Sequence, residues 1–98
     1  MALLGTITKQ PSEILDFDID YTTVLAGRSD TIASQTMAVS PSGLTLVSIV
    51  KGTGNDANKI KVTFSGGTDT QLYKVTVQAT TTVGLKYEDE VNVLVGEI

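Results

Sequence analysis

The tightest constraint on this chain is the run Ser65-Gly66-Gly67 followed by Leu72–Thr80, in which Tyr73, Val75, Val77 and Ala79 fall in one phase. A period of two places those four side chains on one face of an extended strand, and the glycines before it stop whatever strand precedes. Val83-Gly84 then turns the chain into a second alternating run, where Tyr87, Asp89, Val91, Val93 and Val95 share a parity. Two such runs around a short turn form a β-hairpin that presents one apolar face. The parity leaves two places for Asp89: the mouth of the core, or a strand whose buried part begins at Val91.

The same pattern recurs upstream. Ile14–Tyr21 alternates strictly, with Leu15, Phe17, Ile19 and Tyr21 on one side and Asp16, Asp18 and Asp20 on the other, as in a strand with one solvated face. Gly5–Lys9 is expected to be a short edge strand ended by Pro11, which has no N–H to give a ladder. Thr22–Asp30 loses the period and reads as a connection across one end of the fold. Thr31–Val39 resumes a strand, but Ile32 and Met37 have opposite parity, so a bulge is expected near Ser34-Gln35. Ser40-Pro41-Ser42-Gly43 is a turn. Leu44–Val50 follows, with Leu44, Leu46 and Val50 facing one way and Ser48 interrupting them. Lys51–Asn58 is a glycine- and asparagine-rich hairpin loop, after which Ile60, Val62 and Phe64 line a core face.

About seven short strands with turn signals every ~8–12 residues and no helical period predict an all-β, immunoglobulin-like antiparallel sandwich. A chain of 98 residues is sized for one such domain. We divide it into an N-terminal arm or edge strand, 1–10, and a single immunoglobulin-like domain, 11–98. Tyr73 stands two residues before Val75 with Gly67 and Asp69 upstream, the spacing of a tyrosine corner on the sixth strand of immunoglobulin-like domains. Val75 then takes the place of a disulfide cysteine, with Phe17 or Ile19 facing it across the core.

Inventory removes most chemistry. The chain has no histidine, cysteine or tryptophan, which excludes thiol nucleophiles, Ser-His-Asp machinery, thiolate or imidazole metal sites and disulfides. No catalytic, cofactor-binding or metal residue is assigned. A net charge of −4 offers no cationic field for nucleic acid. Met1–Gly5 is too short for a signal peptide, and no apolar run approaches the ~18 residues of a membrane span.

Three local features invite a site and fail on spacing. Asp16, Asp18 and Asp20 suggest calcium, yet counting an EF-hand loop from Asp16 puts Tyr21 where glycine is needed and Gly27 where glutamate is needed. On a strand, alternate carboxylates stand about 7 Å apart, and a solvated sheet face is the better reading. Glu88-Asp89-Glu90 has no spacing that would converge it with Asp16 or Asp18 as a general acid–base pair, and reads as an acidic edge that discourages sheet association. The glycines of Lys51-Gly52-Thr53-Gly54-Asn55 lack the following Gly-Lys-Ser/Thr of a phosphate loop. Lys51, Lys59 and Lys61 form the single basic cluster, read as a solvated hairpin.

Taken together, Ile14–Tyr21, Leu25, Asp30–Ser34, Gly43-Leu44-Thr45, Ser65–Thr68, Tyr73, Val75-Thr76 and Thr80–Gly84 resemble small immunoglobulin-like virion proteins of tailed bacteriophages, some of which are fibre-to-tail adaptors or decoration-like proteins. Met37 stands where similar sequences often carry an aromatic residue, and the Lys51–Asn58 link is longer than usual. The resemblance implies a noncatalytic virion protein, made in the host cytoplasm, monomeric in isolation. It implies docking in several copies on other virion proteins, without nucleic acid, membrane or cofactor. The competing reading is a bacterial immunoglobulin-like binding module, adhesin or carbohydrate-binding, which would show exposed aromatic side chains.

Overall fold

The chain folds around the two inner faces that its alternating segments create. A computed structural model describes residues 2–53 and 57–96. Seven strands are formed: β1 (Ala2–Lys9), β2 (Leu15–Asp20), β3 (Ile32–Ser40), β4 (Leu44–Lys51), β5 (Lys59–Gly66), β6 (Leu72–Thr81) and β7 (Lys86–Val95). One short helix, α1 (Thr22–Ala26), lies between β2 and β3. The strands make a four-stranded sheet, β1-β7-β6-β3, and a three-stranded sheet, β2-β5-β4. All pairs are antiparallel except β1, which runs parallel to β7. This is the immunoglobulin-like sandwich the pattern predicts.

The core is drawn from both sheets. Ile60, Val62 and Phe64 of β5 meet Tyr73, Val75, Val77 and Ala79 of β6 and Val93 and Val95 of β7, all essentially without solvent contact. From β2, Ile19 is buried and Phe17 is half-buried, its ring 5.9 Å from that of Phe64. Methionine at 37 is half-buried against the same core, where its flexible side chain fills space that a ring would occupy more rigidly. Apolar burial at about 25 cal/mol per Å² carries the cohesion that a disulfide supplies in other immunoglobulin folds.

Tyr73 forms the corner its spacing predicts. Its hydroxyl accepts a hydrogen bond from the Thr68 N–H at 2.8 Å, which ties the β5–β6 connection to the start of β6. The ring fits because two glycines flank it. A Cβ on Gly43 would lie 2.9 Å from the Tyr73 hydroxyl, and one on Gly67 would lie 2.7 Å from Val95 Cγ2 and 3.3 Å from the Tyr73 ring. Both glycines also hold positive φ, 126° and 97°, where a side chain is strained.

Four details depart from the sequence reading. The Thr22–Asp30 connection contains α1, whose Leu25 is fully buried. One helical turn is too short to impose a period, so a single plugging leucine was its whole signal. In β4 the register shifts between Leu46 and Ser48, which reverses the parity of the strand's second half. Ile49 therefore packs on the core while Val50 is 51 % exposed, so Val50 does not share the face of Leu44 and Leu46 as expected. The Glu88–Glu90 run does not lie on an edge, because β7 is covered by β1 on one side and β6 on the other. Finally, β1 is eight residues long, and Ile14 precedes β2 with 68 % exposure. In β3 the bulge falls between Ile32 and Ser34, close to its expected place.

Replacing Gly67 with alanine is expected to cost about 1–3 kcal/mol for the forced backbone and a comparable amount for overpacking on Val95. Tyr73→Phe, which removes only the corner hydrogen bond, is expected to cost about 1–2 kcal/mol. Urea unfolding of the two variants checks this ranking, and a Gly67→Ala protein as stable as the parent would contradict the packing described.

Candidate functional site

The strand ends gather the connections into two groups. At one end stand α1, the 27–31 link, the β4–β5 hairpin and the β6–β7 turn. At the other stand the 10–14 link, the Ser40–Gly43 turn and the Tyr73 corner. The body measures 44 × 23 × 18 Å, so the two ends are well separated.

The α1 end is organised by Asp30, a buried carboxylate bonded by backbone N–H groups. Its Oδ1 accepts from the N–H of Thr31 at 2.8 Å and of Val83 at 3.4 Å. Around it, Thr82 donates its N–H to the Thr31 carbonyl at 2.9 Å, and the two threonine hydroxyls lie 2.8 Å apart. Thr81 pairs with Leu85 through its N–H and its Oγ1. Asp30 itself donates its N–H to the Leu25 carbonyl at 3.2 Å, which brings α1 into the same network. Burial alone would raise the Asp30 carboxyl, but hydrogen bonds from the Thr81 hydroxyl and the N–H groups of Thr31, Val83 and Thr82 outweigh it and hold the group below the usual carboxylate range.

This network fixes loops that present apolar side chains to solvent. Val83 is 69 % exposed, Val24 on α1 49 %, and Leu85 38 %. The Lys51–Asn58 hairpin closes beside them: Gly52 donates to the Lys59 carbonyl at 3.1 Å, and the Asn58 carbonyl accepts from the Tyr21 N–H at 2.8 Å. Its tip, 54–56, lies outside the described residues, and with it part of the loop singled out in the sequence.

The acidic residues do not converge. Asp16, Asp18 and Asp20 line the outer face of β2 opposite Thr63, Lys61 and Lys59 of β5, so the aspartate stripe faces a lysine stripe and the two fields offset. Asp18, Lys59 and Lys61, with Val50 and Gly52, border an open groove of about 320 Å³. Among the described residues, no group of three or more acidic side chains is placed to hold a metal ion. On β7, in the other sheet, Glu88 accepts from Gln78 at 2.7 Å, and Glu90 pairs with Lys74 at 3.6 Å. Asp89 takes the first of its two alternatives: it stands at the mouth of the core and accepts the Tyr21 hydroxyl hydrogen bond, with the Tyr21 and Tyr87 rings 5.7 Å apart. Burial, the hydrogen bond and the adjacent Asp89 charge all raise the Tyr21 phenol far above its ordinary value. That contact links the residue that follows β2 in one sheet to β7 in the other.

Two residues were missed in the sequence. Lys9 is fully buried, with Nζ donating to the carbonyls of Gln10 at 2.7 Å, Pro11 at 3.3 Å and Gly66 at 2.6 Å. Desolvation lowers its pKa, partly offset by Glu13 and Tyr73. The signal for it was present, since Lys9 shares the parity of the inward-facing Ile7. Asp30 carried no periodic signal, because it lies in a connection.

A family model described as Podophage GP4 fiber-tail adaptor protein gp77 matches residues 9–94. The chain belongs to this adaptor family. It is therefore a structural adaptor of a phage virion, in agreement with the resemblance drawn from its sequence. Among solved structures, it is similar to a 2,6-sialyltransferase of Vibrionaceae Photobacterium sp. JT-ISH-224, with TM-score 0.53 and 12 % identity over 96 % of this chain and 17 % of that one. At that identity, and over so small a part of the enzyme, the likeness concerns the fold of one segment alone. No curated protein matches the sequence. Among the described residues, no helix is long and apolar enough to cross a membrane.

The Asp30 network makes stability depend on pH in a defined direction. A carboxyl whose folded pKa lies below its unfolded value of about 3.9 stabilises fully above that value and loses the contribution as pH falls through the folded one. Asp30→Asn is expected to be less stable than the parent at pH 7, and the gap is expected to narrow below about pH 4. Urea unfolding of both proteins across pH 3–7 measures it, and a gap independent of pH would contradict the role given to the charge.

Proposed function

We propose that the protein is a noncatalytic adaptor that docks in several copies between a phage tail and its fibres, using the α1 end as a principal contact. The match to the fibre-tail adaptor family over residues 9–94 is the observation that carries this reading. The architecture is consistent with it: a core sealed by apolar packing, sheets joined by the Tyr21–Asp89 contact, and exposed valines on braced turns. In this reading residues 1–10 are an arm on a single domain, 11–98. The protein is made in the host cytoplasm, is monomeric when isolated, and binds other virion proteins rather than nucleic acid or membrane.

The alternative, a carbohydrate-binding or adhesin module, finds less support. All five aromatic side chains are buried or half-buried, which leaves no exposed ring for a sugar to stack on. The aspartate stripe and the 320 Å³ groove are open and charge-balanced, without the convergent polar groups of a ligand pocket.

Purified chain mixed with fibreless tails and isolated fibres is expected to bridge them. Val83→Glu and Val24→Glu are expected to weaken one of the two attachments about tenfold or more, equivalent to about 1.4 kcal/mol, with the melting temperature unchanged. Sedimentation of tail-bound protein reads the result. Undiminished binding by both variants would move the contact away from this end.

A further inference from the structure

The four-stranded sheet owes one of its edges to a strand that is attached differently from the rest. β1 is its outermost member, and it pairs along its length with β7 alone. The family match begins at Lys9, so Ala2–Thr8 precede the shared domain. Without them β7 would present a row of unpaired N–H and C=O groups at a sheet edge, which is a template for another extended strand.

The attachment of β1 is uneven. At its Lys9 end it is anchored: the Lys9 carbonyl accepts from the Gly96 N–H at 2.9 Å, and Nζ reaches Gly66. Toward its start the ladder register breaks between Leu3 and Gly5, and Leu4 is 52 % exposed. A crevice of about 210 Å³, bordered by Leu4, Ile7, Phe17 and Val91, opens between β1 and β2. The link from β1 to β2 is short and holds Pro11, closed by the Glu13 N–H on the Gln10 carbonyl and the Gln10 N–H on Glu13 Oε1. Short closed hinges beside an edge strand favour exchange of that strand between copies, because an opened hinge relieves the turn while every other contact is remade.

Lys9 fits such an exchange. Two of its three acceptors, the carbonyls of Gln10 and Pro11, belong to its own hinge, and the third, Gly66, belongs to the domain that receives the strand. The lysine therefore travels with the arm and finds the same carbonyl in any copy it enters. We propose that the β7 edge is a strand acceptor, filled by the chain's own β1 in the free protein and by β1 of a neighbouring copy in the assembled adaptor. The occupant is a second copy because β1 is the one segment shown to match this edge in register, with Ile7 turned to the core and Thr6 and Thr8 outward. The assembled state rests on the multi-copy reading given above, whereas exchange itself can be measured on the isolated protein.

The absence of native cysteine makes the test direct. Thr6 lies opposite Asn92, and Thr8 opposite Leu94. Full-length Thr6→Cys and Asn92→Cys chains are mixed, co-refolded from urea over a range of concentrations and oxidised. Exchange predicts a disulfide-linked heterodimer several-fold more abundant than in a control pairing Thr6→Cys with Ser34→Cys on the far edge, and rising with concentration. Thr8→Cys with Leu94→Cys repeats the test at a second position should either first variant fold poorly. Crosslinking no greater than control in both pairs would overturn the proposal. So would Asn92→Cys, bound to fibreless tails, crosslinking to a tail protein in place of Thr6→Cys chains. Because the mixing experiment uses neither tails nor fibres, failure of the adaptor to bridge them leaves its outcome intact.

Discussion

The hydrogen bond from the Thr68 N–H to the Tyr73 hydroxyl decides how the rest of this sandwich closes. It bends the β5–β6 connection down over the end of the core, and in that position the connection meets everything around it. Thr70 donates to the Val95 carbonyl, and Val95 donates to the Gln71 carbonyl, so the same loop fixes the end of β7. Gly66 offers its carbonyl to Lys9, which fixes the end of β1. Two glycines with positive φ make room for the ring. One phenol thus ties the ends of β5, β6, β7 and β1.

The opposite end is held by a different device with the same effect. Asp30 is a buried carboxylate whose Oδ1 takes the N–H groups of Thr31 and Val83, and a group of that kind is strongly directional because each partner must stay in place to offset its desolvation. Two connections from distant parts of the chain, the one between β2 and β3 and the turn between β6 and β7, are held by it. Between the two ends the inner faces are almost wholly apolar, with Val75 in the position of a cysteine and no solvent contact. A body so closed at both ends suits the structural role of a virion adaptor.

Much of this was legible because β-structure writes itself in parity. Tyr73, Val75, Val77 and Ala79 were placed inward by a period of two, as were Ile60, Val62 and Phe64, and the tyrosine corner followed from spacing alone. Parity fails where an extra residue is inserted: the β4 bulge reverses Ile49 and Val50, and its mark in the sequence is Ser48, which interrupts the apolar face of Leu44–Val50. It also fails where an element is shorter than its own period, as with α1. Interior strands cannot be told from edge strands by composition, because pairing order is a long-range property, and this is why the Glu88–Glu90 run was misplaced. The proposed contact surface was the least legible part. Val83 and Val24 are ordinary residues of a turn and a short helix, and their meaning comes from the network that holds them outward.

The central claim is that the sheets serve as scaffold while the braced end makes the contacts, and amide hydrogen exchange tests it most directly. In the free protein the Thr68 amide and those of β6 should exchange only through global unfolding, and tail binding should add protection within 22–31 and 82–85. A Thr68 amide that exchanges as fast as an open loop, or new protection confined to the outer faces of the two sheets, would contradict the account.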